Sequence, residues 1–270
     1  MLQALRCPFF LKAMAYAAPI GGLAGLIGLG GGEFRLPVLI RVIGFDAKAA
    51  IPINLATSLV TLAAALAFRS QTLSLTAVMP HLAEIAGLAA GGILGARAGA
   101  RLVTRLPEAR LHLLLSMLLF ALGVLLIVKA FTPDQPASVT AHSAWWRAAA
   151  GVAFGIGIGV VSSVLGVAGG ELLIPLLILL FGADIKTAGT ASALIALPIV
   201  AAGLLRYRGL NALPTWAGAS RIWTAMSLGS VAGAAVGAAV VSAAPSGALK
   251  LGLGLLLIYA AVKTARPRRH

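Results

Sequence analysis

The sequence predicts an all-α polytopic membrane protein of two inverted repeats, each with five apolar elements and short broken helices at the midplane. Of its 270 residues, 60% are hydrophobic and only 10% are charged, and the mean hydropathy is +1.01. A soluble domain is nearer a quarter charged. Backbone polar groups in lipid must be satisfied within the chain, which favours helices. A β-barrel would alternate apolar and polar residues, and runs such as 113–128 do not.

The repeat is visible when the sequence is shifted by 138 residues and compared with itself. Between Gly21 and Ala50 the shift pairs identical residues at 12 of 30 positions, including Glu, Asp, Lys and Pro. A bias towards Leu and Ala alone would not pair those residue types. The chain is therefore divided into a first repeat at 1–131, an extracytoplasmic linker at 132–146, and a second, inverted repeat at 147–270 with a basic tail.

Each repeat contains five apolar elements, of which the second is short. The elements are expected at 13–30, 34–45, 50–68, 77–104 and 109–130, and again at 147–168, 172–183, 187–205, 215–243 and 247–263. A full membrane span needs about 20 residues. The second element of each repeat is about half that length, so it is predicted to be a half-helix or a re-entrant piece.

Basic residues set the predicted orientation. The net charge is +14, and Lys and Arg lie mainly at the ends of apolar elements, which indicates membrane orientation and not nucleic-acid binding. The basic segment 97–110 and the tail 263–269 are expected in the cytoplasm, and the linker outside. The matching turns at Pro107 and Pro245 then fall on opposite sides of the membrane. The repeats are therefore inverted, with both termini cytoplasmic.

One motif occurs in both repeats at the end of the first apolar element. It is Gly28-Leu29-Gly30-Gly31-Gly32-Glu33 before Pro37, and Gly166-Val167-Ala168-Gly169-Gly170-Glu171 before Pro175. Successive glycines let backbone N–H groups converge, and the following helix presents its positive dipole end to the same point. Two such ends would form a cradle for an anion. The predicted substrate-binding glycines are Gly31, Gly32, Gly169 and Gly170.

Glycines can also serve only for close helix packing, and this alternative is preferred for Gly91, Gly95 and Gly99, which share one helix face. Packing does not require a carboxylate, which favours a function for the motif that carries Glu33 and Glu171. These two residues could cap helix N-termini, worth about 0.3–1 kcal/mol. They could instead be buried carboxyl groups that bind substrate and take up a proton for coupled transport. Both interpretations stay open.

Polar residues on the third element of each repeat are further substrate-binding candidates. Asn54, Thr57 and Ser58 lie on one face, and Thr190 and Ser192 lie on the matching element. Hydrogen bonding between helices explains them equally well. Arg35 and Arg41 flank the first short element, but leucines occupy the matching positions, so any action on an anion would come from one side only.

No cofactor, metal site or catalytic group is predicted. Cys7 is the only cysteine, which excludes a disulfide framework. His81 and Glu84 lie one turn apart without further ligands, and Glu84 could instead relay protons. Ser162 has no histidine near it in sequence. Asp46 and Asp184 each precede a helix, and N-capping is sufficient to explain both.

The motif segments resemble those of the sulfite exporter TauE/SafE family. The resemblance rests on "GGLAGLIGLGGGEFRLP" at 21–37, "GVVSSVLGVAGGELLIP" at 159–175 and "AGTAS" at 188–192. It implies a bacterial inner-membrane carrier of small anions, often sulfur-containing, with Thr190 and Ser192 beside the glycines at the site. The chain departs from the family pattern at Pro52-Ile53-Asn54, where Gly-Thr-Ser is usual.

The predicted function is a secondary transporter, not an enzyme, that moves a small anion by alternating access. Sulfite, a sulfonate or another organosulfur or organic anion is the expected substrate, and proton coupling is the weaker part of the hypothesis. The expected partners are this substrate and the lipid bilayer, with no nucleic acid, and homo-oligomerisation is left open. A passive anion channel, an intramembrane enzyme and a non-transporting scaffold are the alternatives.

Overall fold

The protein is a bundle of helices in the computed structural model, which describes residues 8–102, 108–132, 143–209 and 216–265. Within these ranges every regular element is helical. The predicted Pro107 turn, linker residues 133–142 and the tail from 266 onwards lie outside the described residues.

The described residues form ten α-helices, and a short helix follows the first helix of each half of the chain, as predicted. The helices are α1 (Pro8–Ile27), α2 (Gly32–Pro37, continued by a π-helical segment, Val38–Val42), α3 (Ala47–Thr72), α4 (Leu82–Leu102, preceded by a 3₁₀ segment, Leu75–His81), α5 (Glu108–Ala130), α6 (Ala144–Leu165), α7 (Gly170–Leu179), α8 (Ile185–Gly209), α9 (Trp216–Val241) and α10 (Ser246–Ala265).

Six helices are long and apolar enough to cross a membrane, by length and composition, among the residues the structure describes. They lie within α1, α3, the 3₁₀ segment together with α4 (Leu75–Ala98), α6, α8 and α9. The apolar stretches Ser116–Ala130 of α5 and Ser246–Val262 of α10 are shorter. Large apolar side chains such as Phe120 and Leu255 are exposed on the outside of the bundle, as a lipid-facing surface requires. The predicted all-α polytopic membrane fold is confirmed.

Glycines in the left-handed conformation produce both helix breaks. Gly28 has φ +94° and Gly31 has φ +68°, and the matching Gly166 and Gly169 have φ +65° and +74°. A side chain at such a φ costs about 1–2 kcal/mol, so only glycine is well accommodated. Helices α1 and α6 therefore end at matching positions, and four residues separate each of them from the half-helix that follows.

Helix α7 is enclosed by protein on most of its surface. Leu173, Ile174 and Leu177 are fully buried, and they belong to the largest apolar cluster together with residues of α3 and α8. A half-helix of ten residues leaves backbone groups unsatisfied at its ends, which is tolerated inside a membrane only when protein or water surrounds it. The burial of α7 meets this condition.

Two helix pairs pack backbone against backbone through glycine. A methyl group added at Gly91 of α4 would lie 2.2 Å from the Val152 oxygen of α6, and one added at Gly95 would lie 2.1 Å from the Ile156 oxygen. Helices α1 and α9 meet in the same way. The packing interpretation is confirmed for Gly91 and Gly95, and the surroundings of Gly99 fall outside the described part of the chain.

The same contacts give the direction of these pairs. Gly229 and Gly233 of α9 contact Met14 and Ala18 of α1, so the residue numbers rise together and the two helices run parallel. Helices α4 and α6 also run parallel, because Gly91 and Gly95 contact successive turns of α6.

Two pairs of helices whose members lie 138 residues apart in sequence run antiparallel, α3 with α8 and α5 with α10. Arg69, near the end of α3, contacts the first turns of α8, and Gly203, near the end of α8, faces Leu55 of α3. In α5 and α10, the Ser116 hydroxyl donates to the Ala261 oxygen at 2.9 Å, and Gly247 faces Ala130. Helices from the first half of the described chain thus pack between helices from the second half.

Two aspartates cap helices as predicted. Asp46 Oδ1 accepts from the Ala49 amide at 2.7 Å at the start of α3, and Asp184 Oδ1 accepts from the Lys186 and Thr187 amides at 2.9 and 3.2 Å at the start of α8. These bonds satisfy amides that the first helical turn leaves without partners. N-capping is therefore confirmed for both residues.

Candidate functional site

The two helix breaks lie directly against each other. A methyl group added at Gly30 would be 2.3 Å from Ala168 Cβ, and one added at Gly170 would be 3.4 Å from Leu29 Cα and 3.5 Å from the Gly28 oxygen. We call the contact between segments 28–32 and 166–170 the junction. It brings together the N-termini of α2 and α7, with one glycine motif on each side.

Asn54 of α3 ties the two halves of the junction together. Its side chain is fully buried, and its Nδ2 donates to the Gly32 oxygen at 3.1 Å and to the Gly166 oxygen at 3.0 Å. A primary amide has two N–H donors, so both are used. Asn54 thus gives a donor to the Gly166 carbonyl, which lies between helices, and a second donor to the Gly32 carbonyl, which begins α2.

Ser192 occupies the matching place on α8. A methyl group added at Gly170 would lie 3.3 Å from its hydroxyl oxygen, just as one added at Gly32 would lie 3.0 Å from Asn54 Nδ2. The Ser192 hydroxyl is fully buried and has no hydrogen-bond partner among the described residues. A buried hydroxyl without a partner costs free energy, and a bound ligand would remove that cost.

A fully buried guanidinium lies beside the junction, on Arg35 of α2. Both terminal nitrogens donate hydrogen bonds, and every acceptor is a neutral group: Ser58 Oγ at 3.0 Å and Asn54 Oδ1 at 3.5 Å for Nη1, and Thr61 Oγ1 at 3.1 Å, the Gly30 oxygen at 3.3 Å and Ser230 Oγ at 3.3 Å for Nη2. Nε has no acceptor in the described part of the chain. None of these hydrogen-bond acceptors is charged, so the guanidinium can attract an anion that comes close to it.

Glu33 and Glu171 start the two half-helices and meet at the junction. The two carboxyl groups lie within hydrogen-bonding reach of each other, and Glu33 also interacts electrostatically with Arg35. Both carboxyl oxygens of Glu33 are buried and accept from no donor among the described residues. Ionised carboxylates only accept, so the contact between the two groups becomes a hydrogen bond only when one of them carries a proton.

Thr57 and Thr190 have hydroxyls that are engaged elsewhere. Thr57 Oγ1 donates to the Ile53 oxygen of its own helix at 2.8 Å. Thr190 Oγ1 donates to the Lys186 oxygen at 3.1 Å and accepts from Arg69. Of the predicted polar residues, Asn54, Ser58 and Ser192 are therefore the ones whose side chains reach Arg35 or the start of a half-helix.

Sequence reasoning missed a second buried guanidinium, Arg69 at the end of α3. Its Nη1 donates to the Gly25 and Leu26 oxygens at 2.8 and 3.0 Å, Nη2 to the Lys186 oxygen at 2.7 Å, and Nε to Thr190 Oγ1 at 3.2 Å. The cation closes the C-terminal end of α1, where the break leaves carbonyls without partners. In sequence it is indistinguishable from an interfacial arginine near a helix end.

Two residues considered as catalytic or proton-relay groups have structural partners. The Ser162 hydroxyl donates to the Val167 oxygen, which holds the second break. Glu84 Oε1 accepts from Arg147 Nη1 at 3.0 Å, which joins α4 to α6, and His81 Nδ1 lies 3.8 Å from the same oxygen. Arg147 also donates to the Pro80 oxygen at 3.2 Å.

A membrane-spanning helical bundle with buried charges at two helix breaks is typical of membrane transporters. Comparison with known proteins agrees, because a model of the family described as sulfite exporter TauE/SafE matches residues 13–264, so the chain belongs to that family. A Bacillus subtilis (strain 168) protein, the probable membrane transporter protein YdhB, is 28% identical over 197 residues, which cover 70% of this chain and 74% of the relative. No solved structure gives a significant match.

Proposed function

We propose that the protein is a secondary transporter that moves a small anion across the inner membrane and holds it at the junction. The observation that carries this is Arg35, a buried positive charge with neutral acceptors only, next to two helix N-termini. Both the charge and the helix ends favour a negative guest. The family name supports sulfite or a related sulfur oxyanion, a sulfonate or another organic anion as substrate.

The proposed site uses backbone and side-chain donors from both repeats. The amides at Gly31 and Gly32 and at Gly169 and Gly170 would contact the anion, and α7 and the continuous α2–π-helical segment would direct their dipoles at it. Ser192 contributes the hydroxyl that has no other partner in the described chain. Arg35 contributes its charge and Nε, while Asn54 and Ser58 hold the site in shape.

We propose that the two repeats, 1–131 and 147–270, are inverted. Three features support this. Positive-φ glycines occur at matching positions of both breaks, and again at Gly44 and Gly182. Helices α3 and α8, and likewise α5 and α10, run antiparallel, as equivalent helices must when the relating axis lies in the membrane plane. The parallel pair α1 and α9 has its counterpart in α6 and α4.

In alternating access the moving bodies would then be helix pairs that each combine one helix from each repeat, and not the repeats themselves. Glycine contacts fix α1 to α9 and α4 to α6, and each of these pairs contains one helix from each repeat. Sliding one repeat past the other would break both contacts, because close-packed backbones have two arrangements at most and do not deform continuously. The α1–α9 pair moving against the α4–α6 pair would preserve them and open the junction to alternate sides.

Proton coupling at Glu33 and Glu171 and the orientation of the chain complete the proposal. Their carboxyl groups lie where the anion would bind. Protonation of a carboxylate would remove a negative charge there and so favour binding of the anion.

Trp145 and Trp146 are 75% and 62% exposed at the start of α6, as expected for aromatic anchors at the outer interface. Both termini would then lie in the cytoplasm, with the basic segments.

The test is a thermal-shift screen of the purified protein against sulfite, sulfonates, sulfate and small carboxylates, followed by counterflow in proteoliposomes. A ligand that binds the folded state raises the melting temperature by mass action. Arg35→Gln should weaken binding of any ligand found at least tenfold, because a buried charge pair contributes about 2–5 kcal/mol. Arg41→Gln is the matched control, since Arg41 is exposed on the same segment. Equal affinities in the two variants would refute the site, and currents without counterflow would indicate a channel.

A further inference from the structure

The contact between Glu33 and Glu171 has a chemical consequence that goes beyond two separate proton-binding groups. They come from different repeats and stand at matching positions of the two half-helices. Their carboxyl groups are within hydrogen-bonding reach, and both Glu33 oxygens are shielded from solvent. Two carboxylates this close, away from water, cannot both ionise without strong repulsion.

We propose that Glu33 and Glu171 form one acid pair that shares a single proton across the junction, and that Arg35 balances the remaining negative charge. The shared proton turns two repelling acceptors into a donor and an acceptor. The pair then carries one negative charge and the guanidinium one positive charge, so the buried centre is neutral without an ion from solution. Neutrality is what a buried cluster of charged groups requires.

Several other charged side chains described on the surrounding helices are exposed or bonded elsewhere. Lys12 of α1 and Arg41 of the π-helical segment are exposed. Arg69 of α3 is bonded to the end of α1 and the start of α8, and Lys186 of α8 donates its Nζ to the Ser242 oxygen. Lys129 lies in the last turn of α5, Arg221 of α9 is exposed, and Lys250 of α10 is buried. Arg35 is the cation that interacts with Glu33.

The pair predicts how many protons accompany an anion, and this consequence rests on the proposed function. A monovalent anion added to a neutral centre would leave it negative, so binding would require a second proton on the pair. Each bound monovalent anion should therefore bring one proton. With both glutamates replaced by glutamine the centre would already be positive, and the anion should bind without a proton.

The first experiment tests the pair without any anion. Infrared spectra of the purified protein are compared for the wild type, Glu33→Gln, Glu171→Gln and Glu84→Gln. We expect a carbonyl band of a protonated, buried carboxyl group in the wild type at neutral pH, and its loss in either Glu33→Gln or Glu171→Gln. In each of these variants the new amide donates the hydrogen that the shared proton supplied, so the remaining carboxylate ionises. Glu84→Gln, outside the pair, should keep the band.

The pair is overturned if the wild type has no such band or if one single variant keeps it. Because glutamine is close in size to glutamate, circular dichroism and gel filtration of each variant confirm that the comparison is between folded proteins. The second experiment measures proton uptake on binding of methanesulfonate, whose own charge does not titrate near neutral pH. Wild type and single variants should take up about one proton per anion and the double variant none.

The two experiments separate the two proposals. If the infrared result holds and no anion binds, the acid pair stands and the proposed transport site fails. If an anion binds and the double variant retains its pH dependence, the site stands and the pair is wrong as the coupling group.

Discussion

Replacing Asn54 should destabilise the protein far more than replacing its counterpart Ser192. Asn54→Leu keeps a similar side-chain volume but removes the two hydrogen bonds to the Gly32 and Gly166 oxygens. The Gly166 carbonyl then stays buried without a donor, at about 1–3 kcal/mol, and the Gly32 carbonyl, which begins α2, loses its second donor, at about 1 kcal/mol, so the expected loss is about 2–4 kcal/mol. For a chain of this size about 1 kcal/mol corresponds to 2–4 °C, which puts the melting temperature about 4–16 °C lower.

Ser192→Ala is the matched control at the equivalent position of the other repeat. The serine hydroxyl has no partner among the described residues, so its removal should change stability by less than about 0.5 kcal/mol. Removing it should weaken anion binding, because the hydroxyl is free to contact a ligand. Asn54→Leu would therefore lower the stability, and Ser192→Ala would lower the anion affinity with little change in stability.

Thermal unfolding in detergent, followed by circular dichroism, measures the first effect, and ligand-induced melting shifts measure the second. The reasoning is refuted if Asn54→Leu and Ser192→Ala melt within about 1 °C of each other, or if Ser192→Ala is the less stable of the two.

Three further predictions concern packing, the end of α1 and the ion pair. Gly159→Ala should destabilise the packing of α6 against α4 by about 1–3 kcal/mol, because its methyl group would lie 2.1 Å from the Gly92 oxygen. Gly157→Ala is the control: its methyl group would meet nothing within 4 Å, so the variant should be neutral or stabilising in the same melting assay. Arg69→Met should lower the melting temperature, because Arg69 donates to the carbonyl oxygens at the C-terminal end of α1. It should not lower anion affinity at a common temperature, and a loss of affinity would contradict this. Glu84→Gln should destabilise by about 1–3 kcal/mol, because it weakens the hydrogen bond from Arg147, which is partly exposed. It should leave the pH dependence of anion uptake unchanged, because Glu84 is not part of the proposed proton path, and an altered pH profile would contradict this.

The helix breaks could be predicted from sequence because their cause is local. Glycine runs followed by Glu and Pro interrupt an apolar helix wherever they occur, and their recurrence after 138 residues marked them as a repeated feature. The left-handed conformations of Gly31 and Gly169 are the physical basis of that pattern. Short second elements follow from the same local signals.

The residues around Arg35 could be predicted only in part. Asn54 and Ser58 share a helix face with Thr61, one further turn along, so the periodicity already indicated a polar stripe on α3. Ser230 lies 195 residues from Arg35, and no local pattern connects the two. Since Leu occupies the position that matches Arg35 in the second repeat, the symmetry argument also gave it little weight.

Which helices pack against each other could not be predicted from the sequence, for a similar reason. The small residues that place α1 against α9 indicate that a close contact exists but do not name its partner. Asn54 shows the opposite case. It belongs to the segment Pro52-Ile53-Asn54, where Gly-Thr-Ser is usual in the family. In the structure its side chain donates the hydrogen bonds that join the two breaks.

The most direct test of the proposed anion site is to locate a bound anion in an experimental structure. Crystals grown with 2-bromoethanesulfonate, or with selenite in place of sulfite, would give an anomalous signal from the ligand itself. We expect a peak at the junction, within hydrogen-bonding reach of the amides that begin α2 and α7 and on the side of Ser192. A peak elsewhere in the bundle, with the junction closed around its own side chains, would contradict it.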